Sequence, residues 1–196
     1  MRKRPRQERS EATVDAILEG ASRLFVAEGY AAATTNRIAQ SAGISVGSLY
    51  QYFPSKDAIA VELVRRFRAN RVAFLESQLK GADAQPLESI TRTLFTSFLK
   101  AEGIRPELYS VLIEQVLRTS ARKELRGYEE RLEGLVAGAL RKVQPPPKVE
   151  DVDLAAFMLV RLVLALVHSV NADRPRYNTP MLVKELTRLV MAYLGG

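Results

Sequence analysis

The chain is predicted to be all-α, and three observations carry that prediction. Apolar residues recur at three- and four-residue intervals along most of the sequence. Val, Ile and Thr fall within those intervals rather than alternating as a half-buried strand requires, and Gly or Pro punctuates the ends of the periodic stretches.

A first helix is expected over residues 10–28, where Val14, Ile17, Leu18, Ala21, Leu24 and Phe25 share a face. Ser10 can cap its free amides, and Gly29 can take the left-handed conformation after its end. A second, shorter helix starts at Thr34 or Thr35 and ends at Ala42, before Gly43. Ser45 offers a new cap for a third over residues 46–52, and Pro54 prevents its continuation. Ser55 caps a long fourth helix from Lys56, with Ala60, Leu63, Val64, Phe67, Phe74 and Leu75 inward.

Further helices are expected over residues 86–100, around Leu108, Leu112, Val116 and Leu117, and over 122–142. Pro145-Pro146-Pro147 then makes residues 144–148 a stiff connector before helices over 152–171 and 179–194.

Charge divides the chain unevenly. The net charge is +7, and residues 1–80 carry 13 Lys/Arg against 8 Asp/Glu, whereas the remainder carries 16 against 14. A basic beginning on a nearly balanced body suggests an end that meets a polyanion, although composition alone does not choose DNA over RNA. The chain has no Cys and one His, which excludes thiolate chemistry, disulfides and a multi-histidine zinc site within one chain. No carboxylate pair, phosphate-cradling glycine loop or nucleophile–base set has recognisable context, so no catalytic residue, metal or cofactor is expected. Arg2-Lys3-Arg4 is not followed by an apolar export segment. The longest apolar stretch, 155–167, is interrupted by Arg161 and too short to span a bilayer. A cytoplasmic location without membrane association is the expectation.

The informative segment is Thr34-Thr35-Asn36-Arg37-Ile38-Ala39-Gln40-Ser41-Ala42-Gly43-Ile44-Ser45-Val46-Gly47-Ser48-Leu49-Tyr50-Gln51-Tyr52-Phe53. Two short amphipathic helices about Gly43-Ile44-Ser45 are a helix-turn-helix pattern, with Ile38, Ala39, Ile44, Leu49 and Phe53 inward. The second helix of such a pair fits the DNA major groove.

This stretch closely resembles the tetracycline-repressor-like (TetR) transcriptional regulators. Phe25-Val26-Ala27-Glu28-Gly29-Tyr30 resembles that family's ending of the first helix, and Thr34-Thr35, Ile38-Ala39, Ala42-Gly43-Ile44-Ser45, Gly47-Ser48-Leu49-Tyr50, Tyr52-Phe53 and Ser55-Lys56 continue in register. The resemblance covers about residues 10–60. It implies an amino-terminal three-helix helix-turn-helix DNA-binding domain over 1–55, with a basic arm. A larger helical ligand-binding and dimerisation domain then occupies 56–196.

The resemblance further implies that the hydroxyls of Thr35, Tyr50 and Tyr52 and the ammonium of Lys56 meet phosphates, which suits a set of donors and a point charge. A cap, packing and a solvated charge are the respective alternatives. Arg37 either contacts the flanking backbone or is an ordinary surface residue. Ser45, Val46, Gly47 and Ser48 are placed to approach base edges, where Val46 can meet a thymine methyl and Gly47 permits close approach; Gln51 offers an amide. Helix initiation and solvent exposure are the alternative for this group. Residues 2–9 hold five Lys/Arg against Glu8 and either follow the duplex or form a solubility tail.

Strong discrimination by so small a reading unit calls for twofold assembly on double-stranded DNA. Phe157, Leu159, Leu162, Val163, Leu166, Val170, Leu182, Leu186, Leu189 and Val190 are candidates for an intersubunit four-helix bundle, an intrachain bundle being the alternative. Phe67, Phe74, Phe95, Phe98, Tyr109, Tyr128, Met158 and His168 are candidate walls for a small apolar or amphipathic effector, and core packing accounts for each equally well. The resulting expectation is a homodimeric transcriptional regulator, most simply a repressor released from a palindromic operator by a ligand. A helical protein-binding adaptor is the alternative.

Overall fold

The computed structural model describes residues 4–81, 85–99, 106–117, 127–172 and 177–195, and no strand occurs among them. They form α1 (Arg4–Glu28), α2 (Thr35–Ser41), α3 (Val46–Tyr52), α4 (Lys56–Leu79) and α5 (Leu87–Leu99). The remaining helices are α6 (Pro106–Leu117), α7 (Tyr128–Leu140), α8 (Val152–Ala172) and α9 (Thr179–Gly195).

The chain divides into two compact units: Met1–Arg66 with Glu107–Glu124, and Phe67–Pro106 with Leu125–Gly196. In the first, Ile17, Ala21 and Phe25 of α1, Ile38 and Ala39 of α2, Leu49 of α3 and Ile59, Ala60 and Val64 of α4 are buried. Gly20 lets α1 and α2 meet closely, since a Cβ there would lie 3.0 Å from the Ala42 nitrogen. Arg23 Nη2 donates to the Ser41 carbonyl at 2.9 Å, placing a cation at the carbonyl end of α2. On α4, Glu62 accepts from Arg65 at 2.6 Å and Arg66 at 2.9 Å, and Arg66 also reaches Asp15 on α1 at 2.5 Å.

In the second unit α7 packs on α8, and α5 packs on α9 and α8. Phe95, Leu99, Leu140, Ala155, Val163, Val183, Leu186, Val190 and Leu194 are buried together. Leu75, Tyr128, Leu132 and Val160 form a neighbouring cluster. The Lys148 amide donates to the Leu194 carbonyl at 2.7 Å, so the connector after α7 satisfies one of the free carbonyls of α9.

Several expectations are corrected. α1 begins at Arg4 rather than near Ser10, so residues 4–9 extend the helix. Pro5 lies in the first turn, where a missing amide costs little, and the residues behind it are good helix formers. α7 begins at Tyr128, preceded by Gly127 at φ 82°, a left-handed turn that a helix running through that position would not contain. The expected start at residue 122 lies outside the described residues. Phe74 is exposed, because Phe67, Arg71 and Leu75 define the buried stripe of α4 and Phe74 lies about 100° off Leu75.

Candidate nucleic-acid interface

The reading head is held by local bonds that the sequence specifies. Thr34 caps α2, accepting from the Arg37 amide at 3.3 Å. Gly43, at φ 69°, turns the chain after α2 in a conformation that side chains resist. Ser45 Oγ then accepts the Ser48 amide at 3.0 Å, starting α3, and lies 2.8 Å from Ser48 Oγ. Leu49 is fully buried while its neighbour Tyr50 is 51% exposed, so one side of this two-turn helix anchors it and the other is presented outward.

On the presented side Ser45, Gly47 and Gln51 are exposed, and Val46, Ser48 and Tyr52 are half-buried. A Cβ at Gly47 would meet only Ser45 Oγ, at 3.9 Å, so the α3 backbone is open to close approach there. Thr35 Oγ1 and Tyr50 Oη lie 3.0 Å apart, bringing the starts of α2 and the middle of α3 to one hydroxyl pair. Arg37 forms an ion pair with Glu28, so its charge is already opposed within the head. Ile44, expected inward, is half-buried.

Lys56 has a second task beyond its charge. Its ammonium donates to the carbonyls of Tyr30 at 2.7 Å, Ala33 at 2.9 Å and Ala31 at 3.4 Å, as many acceptors as it has N–H bonds. It also lies 4.4 Å from the centre of the Tyr30 ring. The Tyr30 hydroxyl donates to Asp57, and the ring packs on Phe25 at 5.1 Å between centroids. Burial, then the Asp57 hydrogen bond and its negative charge, raise the Tyr30 phenol above its ordinary range. Tyr30, Lys56 and Asp57 thus fasten the loop between α1 and α2 to the first turn of α4. Sequence reasoning missed this role for Tyr30 and Asp57. The available signal was an aromatic after Gly29 together with a Lys-Asp pair at a helix start.

The second unit holds a cavity of about 60 Å³, with walls from α4, α5, α7, α8 and α9 including Leu75, Phe95, Phe98, Leu132, Leu159 and Val190. Among the described side chains, Phe95 and Phe98 are the effector candidates that line it. Tyr128 is buried in the adjoining core, where Arg68 lies over its ring at 4.6 Å. Phe67 is buried outside the wall, and the Arg71 guanidinium lies 5.5 Å from its ring centre and 4.7 Å from that of Phe98. Phe74 and Met158 are exposed and contribute nothing to the cavity, both lying off the buried stripes of their helices. The side chains of Tyr109, His168 and Val170 lie outside the described residues.

Among the bundle candidates, Val163, Leu186 and Val190 are buried in the chain's own core. Leu159, Leu162, Leu166 and Leu182 pack partly against it. Val163, Leu186 and Val190 are therefore corrected to intrachain packing, whereas Leu159, Leu162, Leu166 and Leu182 stay half-buried. Phe157 and Leu189 remain exposed, with Leu154, Met158, Met181 and Tyr193. Tyr193 Oη lies 3.9 Å from Met158 Sδ, a contact between exposed residues of α9 and α8. Among the described residues, no helix is long and apolar enough to cross a membrane.

Comparison with known proteins accounts for both halves. The family model described as "Bacterial regulatory proteins, tetR family" matches residues 17–63. That described as "Tetracyclin repressor-like, C-terminal domain" matches residues 86–194. The HTH-type transcriptional regulator YxaF of Bacillus subtilis (strain 168) is 33% identical over 123 residues, covering 58% of this chain and 64% of YxaF. The chain thus spans just under two thirds of that relative. An HTH-type transcriptional regulator of Mycobacterium tuberculosis (strain CDC 1551 / Oshkosh) is 30% identical over 160 residues, 81% of this chain and 76% of the relative. The fold is shared with the crystal structure of a TetR-family transcriptional regulator from Mesorhizobium loti MAFF303099. The TM-score is 0.76 at 21% identity, over 95% of this chain and 97% of that one. An exposed two-turn helix carried by a helix-turn-helix, followed by a helical body that matches the corresponding second domain, makes this chain a member of the tetR family of bacterial regulatory proteins, transcriptional regulators with a helix-turn-helix DNA-binding domain.

Proposed function

We propose that the protein is a homodimeric repressor that a small ligand releases from a palindromic operator. The observation that carries this reading is the outward first turn of α3, where Ser45 and Gly47 are exposed beside the buried Leu49. That turn is the part of a recognition helix that enters the major groove. Ser45, Val46, Gly47, Ser48 and Gln51 face base edges in this reading. Thr35, Tyr50 and Tyr52 donate to phosphates, Arg37 adds charge at the flank, and the Lys56 ammonium holds the loop beneath them. The basic residues of the α1 extension, Arg4, Arg6 and Arg9, add a sequence-independent attraction.

Functionally, residues 1–55 read DNA and residues 56–196 bind the effector and the second subunit. The exposed apolar surface of α8 and α9 supplies the twofold contact, which sets two reading heads about 34 Å apart or a multiple of that distance. The ligand occupies the apolar cavity of the second unit and favours a state that holds the heads less well matched to the duplex. It lowers operator affinity only by its preference for that state. The protein acts in the cytoplasm as a regulator and not as an enzyme.

Selection from a random duplex library at fixed salt, followed by sequencing, tests the reading. An inverted repeat is the expected product; failure to enrich any sequence with folded protein at low salt would overturn it. Sedimentation of the selected complex checks the two-subunit stoichiometry.

A further inference from the structure

Two hydroxyls from different helices share one hydrogen bond on the reading head. Thr35 Oγ1, on the first residue of α2, and Tyr50 Oη, on α3, lie 3.0 Å apart. Each hydroxyl carries one proton and two lone pairs. Whichever oxygen donates, one of the pair's protons lies between them and the other is left to point away. While this contact lasts, Thr35 and Tyr50 cannot both donate to phosphates.

The surroundings decide which proton leaves the pair. Tyr50 is exposed and Thr35 half-buried, so the phenol is better placed to meet a group arriving from solvent. A phenol is also a stronger acid than an alcohol, and donation to an ionised oxygen is the stronger kind of hydrogen bond. With an anion at hand, the favoured arrangement has Tyr50 donating outward and Thr35 donating to Tyr50 Oη. The inner bond then serves the outer one in two ways. It polarises the phenol, which strengthens the proton's donation onward. It also holds the ring in place before DNA arrives: a β-branched threonine has few χ1 choices, and the fully buried Leu49 anchors α3 at the preceding position. Less freedom is then lost on binding.

As a refinement that rests on the DNA-reading function proposed above, we infer that Thr35 and Tyr50 form a single phosphate clamp rather than two separate contacts. Tyr50 touches the phosphate oxygen, and Thr35 is a positioning residue that acts through Tyr50. The clamp is uncharged and touches no base. It therefore adds the same affinity on every duplex and leaves the salt dependence unchanged.

The test is a double-mutant cycle in the full chain, with Thr35→Val, Tyr50→Phe and the two combined. Fluorescence anisotropy reads binding to the duplex recovered by selection and to an unrelated duplex, each over a range of salt. Tyr50→Phe should weaken binding roughly tenfold, the loss of a hydrogen bond to a charged group, and Thr35→Val roughly fivefold, the loss of a neutral one. The double variant should bind no worse than Tyr50→Phe alone, because the threonine has nothing left to act through. Thr35→Ser, which keeps the hydroxyl, should stay within about twofold of wild type. Every loss should be equal on the two duplexes with an unchanged salt slope, whereas a distorted α3 would cost the selected duplex more. Melting curves establish that each variant is folded.

Losses that multiply to roughly fiftyfold in the double variant would make the hydroxyls independent contacts and overturn the inference. A loss larger for Thr35→Val than for Tyr50→Phe, unchanged binding by Thr35→Val, or a loss confined to the selected duplex would do the same. Any of these on a duplex that wild type binds leaves the DNA-reading function standing and removes the clamp alone. Wild type that binds neither duplex at low salt removes both.

Discussion

Gly47 occupies the first turn of α3 with almost nothing around it, the nearest contact for an added Cβ being Ser45 Oγ at 3.9 Å. Local packing therefore makes no demand for glycine. Gly47→Ala should leave thermal stability unchanged or raise it by up to about 1 kcal/mol through helix propensity. The same methyl should weaken operator binding about tenfold if the backbone approaches the bases, the cost of one lost base contact. A melting curve and an anisotropy titration on one preparation separate these effects. Lys56 gives the converse case. With its three donors committed to loop carbonyls, Lys56→Gln should destabilise the protein by about 1.5–3 kcal/mol. The slope of log affinity against log salt should stay unchanged, whereas a lost phosphate contact would reduce it by about 0.9. The motif identified Lys56 and Gly47 from their types and register. What it left unread is where a flexible ammonium ends, because that depends on carbonyls 23 to 26 residues away in the chain.

Elements were legible where the deciding interactions are local. Gly43 fixed the end of α2 and Ser45 the start of α3, since a left-handed turn and a cap act within three residues. The start of α1 and the exposure of Phe74 were not legible, because each depends on which stripe neighbouring helices cover. Gly20 illustrates the same limit: within a periodic pattern it reads as a tolerated small residue, yet the last turn of α2 lies against it. Gly20→Val should destabilise the protein by about 2–3 kcal/mol, because its Cβ and branches would press on the backbone of Ser41 and Ala42. Urea unfolding would check it, and a stability equal to wild type would mean that the two helices separate without cost. On α4, the hydrogen bond from Arg65 is the chief cause of the lowered Glu62 pKa, assisted by Arg66 and opposed by burial. A lowered folded-state value means that the carboxylate stabilises the fold above its unfolded pKa. That contribution fades as pH falls from there through the folded value. Glu62→Gln should then cost about 0.5–1 kcal/mol at pH 7, discounted for the exposed Arg65, and nothing in acid below both values. Chemical denaturation at pH 7 and at the lowest pH where both proteins fold gives the comparison.

At the scale of the molecule, the sequence indicated an excess of apolar surface on α8 and α9 but not its division. Val163, Leu186 and Val190 serve the chain's own core, and Leu154, Phe157, Met158, Met181 and Leu189 are left in solvent. Both sets recur with the helical period, and only the packing of α5 on α9 and α8 separates them. Leu189, 55% exposed, has little to contribute to a lone chain, so Leu189→Asp should alter the stability of the isolated subunit by less than about 0.5 kcal/mol. It should shift sedimentation toward monomer at micromolar concentration, and a variant that stays dimeric would place the twofold contact elsewhere. The contact between Tyr193 and Met158 gives this surface a further property once two copies meet about an axis. Every contact off the axis of such a face occurs twice, one residue meeting another and the other meeting the first, so a change in one codon is delivered in duplicate. A lone acquired charge near that axis would confront its twin, and a lone acquired methyl would fill or crowd two notches related by the rotation. In the proposed homodimer, drift across this surface would therefore be felt at twice the dose, and a codon change in the reading head would likewise alter both copies.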